Sequence, residues 1–236
     1  MHSLELEKIL EEEKVHFSPV VPIDRGKDKL VHLDLSEGNS SMSPDVLADI
    51  KIFSAAIQKL IADENAKYAI GGYAELRTVY KNSKVFDPDL PGGEPRRFHL
   101  GIDIWGKPYT KVMAPLDGII HSFAFNNRVG DYGATIILAH HLKGCNFYTL
   151  YGHLSLNSIK DKQEGQTIAK RDVFAEFGIP IENGHWPPHL HFQLIWDIED
   201  HKGDYPGVCK YSEKEKYLVN CPDPDLILQL NKYVDF

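Results

Sequence analysis

The sequence predicts a mainly β, α+β fold: an antiparallel sheet core with an N-terminal helical extension and a C-terminal helix. Three features predict it. From Gly71 onward, short runs of alternating apolar residues are separated by Gly, Asp and Pro turns. Upstream, apolar residues between 47 and 61 recur at helical spacing. The tail sets Pro and Asp ahead of an apolar turn, as a capped helix does.

In chain order, residues 1–14 read as a short charged helix, and LVHLDLS at 30–36 alternates as a strand does. Ser43 is placed to cap a helix, with Pro44 at its first position and Asp45 in its first turn. Leu47, Ile50, Phe53, Ile57, Leu60 and Ile61 then form a stripe that packs on the rest. GGYAELRTVY puts Tyr73, Glu75 and Arg77 on one strand face. After a Pro- and Gly-rich break at 88–95, KVMAPLDGIIHSFAF, GATIILAHH and CNFYTLYGHLS read as antiparallel strands. Glycine boundaries favour strands over a helix for EGQTIAKRDVFAEFG at 164–178, and PDPDLILQLNKYVDF at 222–236 reads as the terminal helix. The expected division is an extension at 1–90 packing on a core at 91–200, with a C-terminal extension at 201–236.

Composition narrows the function. A chain of 236 residues, 42% hydrophobic, can bury a sizeable core as one compact unit. A formal charge of -8 with no basic cluster argues against a nucleic-acid partner. MHSLELEKILEEEK has acidic charge where a secretory signal needs basic charge, and no run approaches the ~20 apolar residues of a membrane span, so a cytoplasmic location is expected. Cys145, Cys209 and Cys221 form an odd set at spacings unlike a zinc cluster, which fits a reducing compartment.

The chemistry is concentrated in HLGID at 99–103 and HLH at 189–191. Residues two apart on a strand point the same way, so His99, Gly101 and Asp103 share one face, as do His189, His191 and Gln193. Imidazole and carboxylate suit zinc, and a catalytic zinc uses three protein ligands with a fourth position left for water. Four candidates compete for three places. His99, Asp103 and His191 are taken as the ligands, although strand geometry alone does not separate His189 from His191. A single histidine on an apolar strand is more often structural than a ligand, so the inference rests on the joint occurrence of the two motifs. In YGHL, His153 shares its expected face with Tyr151 and Thr149 and can reach the same place. His153 and His189 are therefore the candidate proton carriers. His140 and His141 read as structural or surface residues, with His140 able to line the site. His121 and His201 read as solvent-facing, and the prolines after His185 exclude a helical pairing with His189. HExxH and GxSxG motifs are absent from the sequence.

The order HxxxD, YGHLS and PHLHF across roughly residues 95–196 resembles the lysostaphin or LytM-type zinc metallopeptidases, peptidase family 23. The resemblance implies an antiparallel sheet with a long groove, one zinc ion held by His99, Asp103 and His191, and catalytic histidines at 153 and 189. APLDGII at 114–120 is similar to the family's strand and turn after the first ligand. Many members cut peptide cross-links of bacterial cell walls, so the implied partner is a peptide or small amide, including a peptidoglycan-derived one. This sequence departs from the wall-cutting pattern: it has no export signal, ENGHWPPHLHFQ makes the loop before HLH bulky and stiff, and Gln193 stands where glutamate is common. The fuller string through CPDP, to about residue 226, resembles a subgroup also found in bacterial fusion proteins beside phosphotransferase-like and aminotransferase domains. In that setting Arg77 or Arg97 is expected to bind a substrate carboxylate from the groove wall, with Tyr151 and Trp186 as further substrate contacts.

The expected function is zinc-dependent hydrolysis of an amide bond, most simply a peptide bond. Two alternatives stand beside it: hydrolysis of a small cytoplasmic amide or ester, and a binding module that keeps the metal without turnover. Two unligated histidines favour an enzyme.

Overall fold

A computed structural model describes residues 2–88 and 90–234 of the chain. The elements in order are α1 (His2–Glu13), β1 (Leu30–His32), α2 (Pro44–Ala48), α3 (Ile50–Asp63), β2 (Tyr68–Gly71), β3 (Arg96–His99), β4 (Ile102–Trp105), β5 (Lys111–Met113), β6 (Gly118–Asn126), β7 (Gly133–Leu142), β8 (Cys145–Leu154), β9 (Thr167–Ile168), β10 (Val173–Glu176), β11 (His189–Ile195), β12 (Val208–Lys210), α4 (Lys214–Asn220) and α5 (Asp225–Leu228). An eight-stranded sheet runs β1-β2-β4-β11-β8-β7-β6-β9. Its pairs are antiparallel except β1 with β2, which are parallel. β3 pairs with β12 and β5 with β10, each antiparallel, beside it. The fold is thus the mainly β one expected, and no helix among the described residues is long and apolar enough to cross a membrane.

Alternation explains the two apolar layers. Ile104, Leu190, Phe192, Leu194, Ile136 and Phe147 point to one face, where α1 adds Leu6 and Leu10. Ile137, Leu150 and Ile195 pack on the opposite face with Phe98 and Leu100. The polar residues of β4 and β11 stand among these second-face side chains. The region expected as a packed-on extension contributes two strands of the main sheet, because β2 covers the edge of β4 in the register Gly71↔Asp103.

Several local expectations are corrected. The stripe from Leu47 to Ile61 is two helices: Asp49 is extended, and its side chain accepts from the backbone N–H groups of Lys51 (2.8 Å) and Ile52 (3.2 Å), starting a second helix. Ser43 caps the first, as expected. LVHLDLS is a strand only over Leu30–His32, because Asp34 accepts from the Ser36 N–H (2.8 Å) and turns the chain, leaving Ser36 an isolated bridge to Arg77. GGYAELR is not a strand. Ala74 is left-handed (φ 56°), and the segment bonds irregularly to β3, with Arg77 N–H donating to the Arg97 carbonyl at 2.9 Å. The expected terminal helix stops after one turn, where Gln229 is left-handed (φ 50°) and Asp225 accepts from Leu230 N–H at 2.7 Å. Asp235 and Phe236 of that helix, and Met1 of the first, lie outside the described residues.

His140 lies on the buried side of β7, its Nδ1–H donating to the Asp117 carbonyl (2.8 Å) and its Nε2 against the Thr149 hydroxyl (2.7 Å). It does not line the site. Burial pushes its pKa from 6.5 down to about 4. Between those values the unfolded chain binds the proton and the folded chain does not, so stability is full above pH 6.5 and falls as pH drops towards 4, by about 3 kcal/mol. His140→Gln is expected to remove that share of the fall in unfolding free energy across the interval, the remainder belonging to the other buried imidazoles, His99, His153 and His189. An unchanged slope in urea titrations would show that this imidazole is not the group responsible.

Candidate metal centre

His99 ends β3, Asp103 lies in β4 and His191 in β11, and the register His191↔Asp103 sets the last two opposite each other. Gly101 is required between His99 and Asp103: a Cβ there would stand 2.5 Å from Cε1 of His191, whose ring lies over the gap. The His99 Nδ1–H donates to the Gly72 carbonyl (2.9 Å), leaving a lone pair on Nε2. The His191 Nε2–H donates to Gln193 Oε1 (2.9 Å), leaving a lone pair on Nδ1. Gln193 is fixed in that orientation because its own amide N–H donates to the Pro206 carbonyl (3.1 Å).

The result is an unusual convergence of acceptors. His99 Nε2 faces His191 Nδ1 at 2.9 Å, and Asp103 Oδ1 lies 3.1 Å from His191 Nδ1 and 3.4 Å from His99 Nε2. Three lone pairs meet, and the outer N–H group of each ring already has an acceptor elsewhere. A cation resolves this. Zinc bonds of about 2.0–2.2 Å put tetrahedral neighbours roughly 3.3 Å apart, close to these separations. The donor set therefore fits zinc.

Asp103 is also held from behind. Its Oδ2 accepts from Arg77, whose guanidinium also donates to Glu75 and to the Tyr80 hydroxyl (3.2 Å). Burial alone would raise the Asp103 carboxyl, but His99 and then Arg77 beside it hold it well below the usual carboxylate range. Burial, then the charge of Arg77, pushes His99 down to about 4. His99 is thus neutral near pH 7, the form of imidazole that binds metal.

His153 and His189 stand next to this trio, their rings stacked at 4.1 Å between centroids. His189 is sandwiched, since Trp105, its partner across the ladder, stacks on its other face at 3.8 Å. Each ring is set by one backbone acceptor: His153 Nδ1–H donates to the Asn183 carbonyl (2.8 Å) and His189 Nδ1–H to the Pro187 carbonyl (2.7 Å). Both therefore present a free Nε2. Burial, then the neighbouring His189, pushes His153 well below its ordinary value, and burial pushes His189 to about 4 against the opposing charge of Asp103, so both are neutral near pH 7. Trp186, from the stiff loop, lines the cavity with its ring 6.2 Å from His153 and 6.1 Å from Tyr80.

The other substrate contacts expected from the sequence are corrected. Tyr151 does not share a face with His153. The register of β7 and β8 shifts between Ala134 and Ile136, and His153 is left-handed (φ 62°), so the alternation resets. Tyr151 is fully buried against Phe174 and Phe192 in the core. Arg97 is likewise displaced by a shift in the β3–β12 register, donating to the Phe86 and Arg96 carbonyls and to Asp87, while Arg96 lines the cavity instead. Arg77 is in the site but 1% exposed and committed to Asp103 and Glu75, so it positions the Asp103 carboxylate. Arg77→Met strands both carboxylates and is expected to cost about 3–5 kcal/mol, read as a fall in melting temperature. An unchanged melt would restore the substrate-binding expectation.

Sequence reasoning missed Tyr80, Tyr132 and His201, all of which line the cavity. The Tyr132 hydroxyl lies 3.4 Å from His191 Nε2 and 3.5 Å from Gln193 Oε1, and burial pushes its pKa up, keeping it a neutral donor. These residues carry no motif and arrive from loops. Together with 72–86 and 204–208 they reduce the expected groove, beside His99, Asp103 and His191, to a cavity of about 130 Å³.

Residues 97–203 match the sequence model of peptidase family M23. Over 99 residues, 42% of this chain, the sequence is 35% identical to a Haemophilus influenzae protein named an uncharacterized metalloprotease, of whose length the match spans 18%. Among solved structures, the catalytic domain of the antimicrobial peptidase lysostaphin from Staphylococcus simulans is 21% identical with a TM-score of 0.39, covering 63% of this chain and 92% of that one. A zinc-containing peptidase from Vibrio cholerae is 22% identical with a TM-score of 0.33, covering 46% and 30%. The stretch that matches the family model, residues 97–203, carries His99, Asp103, His153, His189 and His191.

Proposed function

We propose that this chain is a zinc-dependent hydrolase of amide bonds, a metallopeptidase with His99, Asp103 and His191 as ligands and His153 and His189 as proton carriers. The observation that carries the reading is the convergence of three acceptor atoms beside two imidazoles that each keep a free Nε2. Zinc, when bound, supplies a Lewis acid and brings the pKa of a water to about 7. His153 and His189, neutral near pH 7, can each take a proton at Nε2. The same nitrogen, once protonated, can donate to a developing oxyanion or return the proton to the leaving amine. The Tyr132 hydroxyl is a further neutral donor beside the ligands. No covalent nucleophile is needed. A binding module would have no use for two imidazoles oriented in this way, which favours turnover over capture. Dialysis against a chelator is expected to abolish amine release from a mixture of di- and tripeptides, and added zinc to restore it. Release that survives removal of the metal would contradict the proposal.

A further inference from the structure

We infer that this site hydrolyses short substrates with a free end, di- or tripeptides or amides of that size, and excludes bonds in the interior of a polymer. The inference rests on the metal-dependent reading above. An internal bond is most readily presented as extended chain, and pairing with an open strand edge is one way that extended chain is held. Around this site the edges are occupied. β3, which carries His99, is bonded on one side to β12 through Val208↔His99 and Cys209↔Phe98. On its other side, Ala74 N–H donates to the His99 carbonyl (3.1 Å), His99 N–H to the Glu75 carbonyl (2.9 Å) and Arg77 N–H to the Arg97 carbonyl (2.9 Å). β4 lies between β2 and β11, and β11 between β4 and β8.

The roof is equally close. A Cβ on Gly207 would stand 1.9 Å from the Tyr132 hydroxyl and 3.2 Å from His191 Nε2, so this stretch of backbone lies directly over a ligand. Opposite it, Tyr80 and Phe86 pack with ring centroids 4.6 Å apart and Trp186 closes against Tyr80. This wall is anchored at both ends, by the bond from Arg77 to Asp103 and by the Ser83 hydroxyl donating to the Val129 carbonyl (2.8 Å). His99, Asp103, His189 and His191 are at most 3% exposed and His153 is 7% exposed. The cavity, open on one side, has a volume of about 130 Å³, well below the roughly 300–1,000 Å³ of pockets that take drug-sized ligands. A small molecule can enter by its end. A chain running through cannot, because the 72–86 and 204–208 segments stand where it would pass.

The test uses the zinc-loaded full chain and three hydroxamate probes, acetohydroxamic acid, glycine hydroxamate and N-acetyl-pentaglycine hydroxamate, with affinities from titration calorimetry. The two small probes are expected to bind, and the long one to bind roughly a hundredfold more weakly or not at all, because steric exclusion acts on the difference between them. Equal or tighter binding of the long probe would overturn the size limit while leaving the metallopeptidase reading intact. Zinc present in full measure with no binding of any probe would also overturn it, since even the smallest amide would then be shut out. A chain that takes up no zinc would instead remove the reading beneath it, which the metal content of the same sample reports separately.

Discussion

Asp103→Ala is expected to purify without zinc and to melt well below the wild type. Two losses coincide. In the proposed centre Asp103 would give one of three ligand atoms, and a quarter share of the roughly 10–16 kcal/mol of a four-coordinate zinc site corresponds to about 10²–10³-fold in affinity. It also shares with Glu75 the neutralisation of the buried Arg77, and breaking a buried ion pair costs up to about 3–5 kcal/mol, less here because Glu75 remains. Asp103→Asn separates the two, because it keeps the shape and an oxygen towards the ligands while removing the charge. Its melt should fall less than that of the alanine variant if packing matters as well as charge. Full zinc in Asp103→Ala would mean that Asp103 is not a ligand, and the structure would then offer only the two histidines of the trio.

His153→Ala is expected to do the reverse, keeping about one zinc per chain and losing turnover by roughly 10²–10⁴-fold, the usual contribution of a positioned acid or base. The reason is geometric. His153 aims Nδ1–H at the Asn183 carbonyl and stacks on His189, and neither contact involves the three converging acceptors. Its left-handed backbone (φ 62°) stores about 1–3 kcal/mol of strain that alanine would share, so the fold itself should be little changed. Loss of zinc in this variant would overturn the division of roles between ligands and proton carriers. Zinc binding and turnover both retained would leave His189 as the sole carrier.

The main features of the site could be read in the sequence because they depend on local periodicity. HxH sets both imidazoles on one face of β11 by alternation, and its register with β4 is regular there, whereas HLGID is not one strand: β3 ends at His99 and β4 begins at Ile102, so His99 and Asp103 meet across a break. Where alternation fails, the reading failed with it. A bulge with a left-handed His153 separates Tyr151 from the site, and a second bulge exchanges Arg97 for Arg96. Both are single-residue shifts with no composition signal of their own. Asp49 broke a stripe that looked continuous, because one carboxylate accepting two backbone N–H groups outweighs an apolar period. Arg77 was recognised as important but given the wrong partner: its contact with Asp103 spans 26 positions and depends on the path of 72–78, which follows no repeating pattern. Tyr80, Tyr132 and Gly207 close the cavity from three separate loops, and only the folded chain brings them together.

The most direct measurement is the zinc content of the purified wild-type chain by elemental analysis, after dialysis that removes loosely held ions. About one zinc per chain is the expected result, with the ion retained against a weak chelator and lost to a strong one. A chain that is metal-free as purified and refuses added zinc would contradict the claim that His99, Asp103 and His191 form a metal centre.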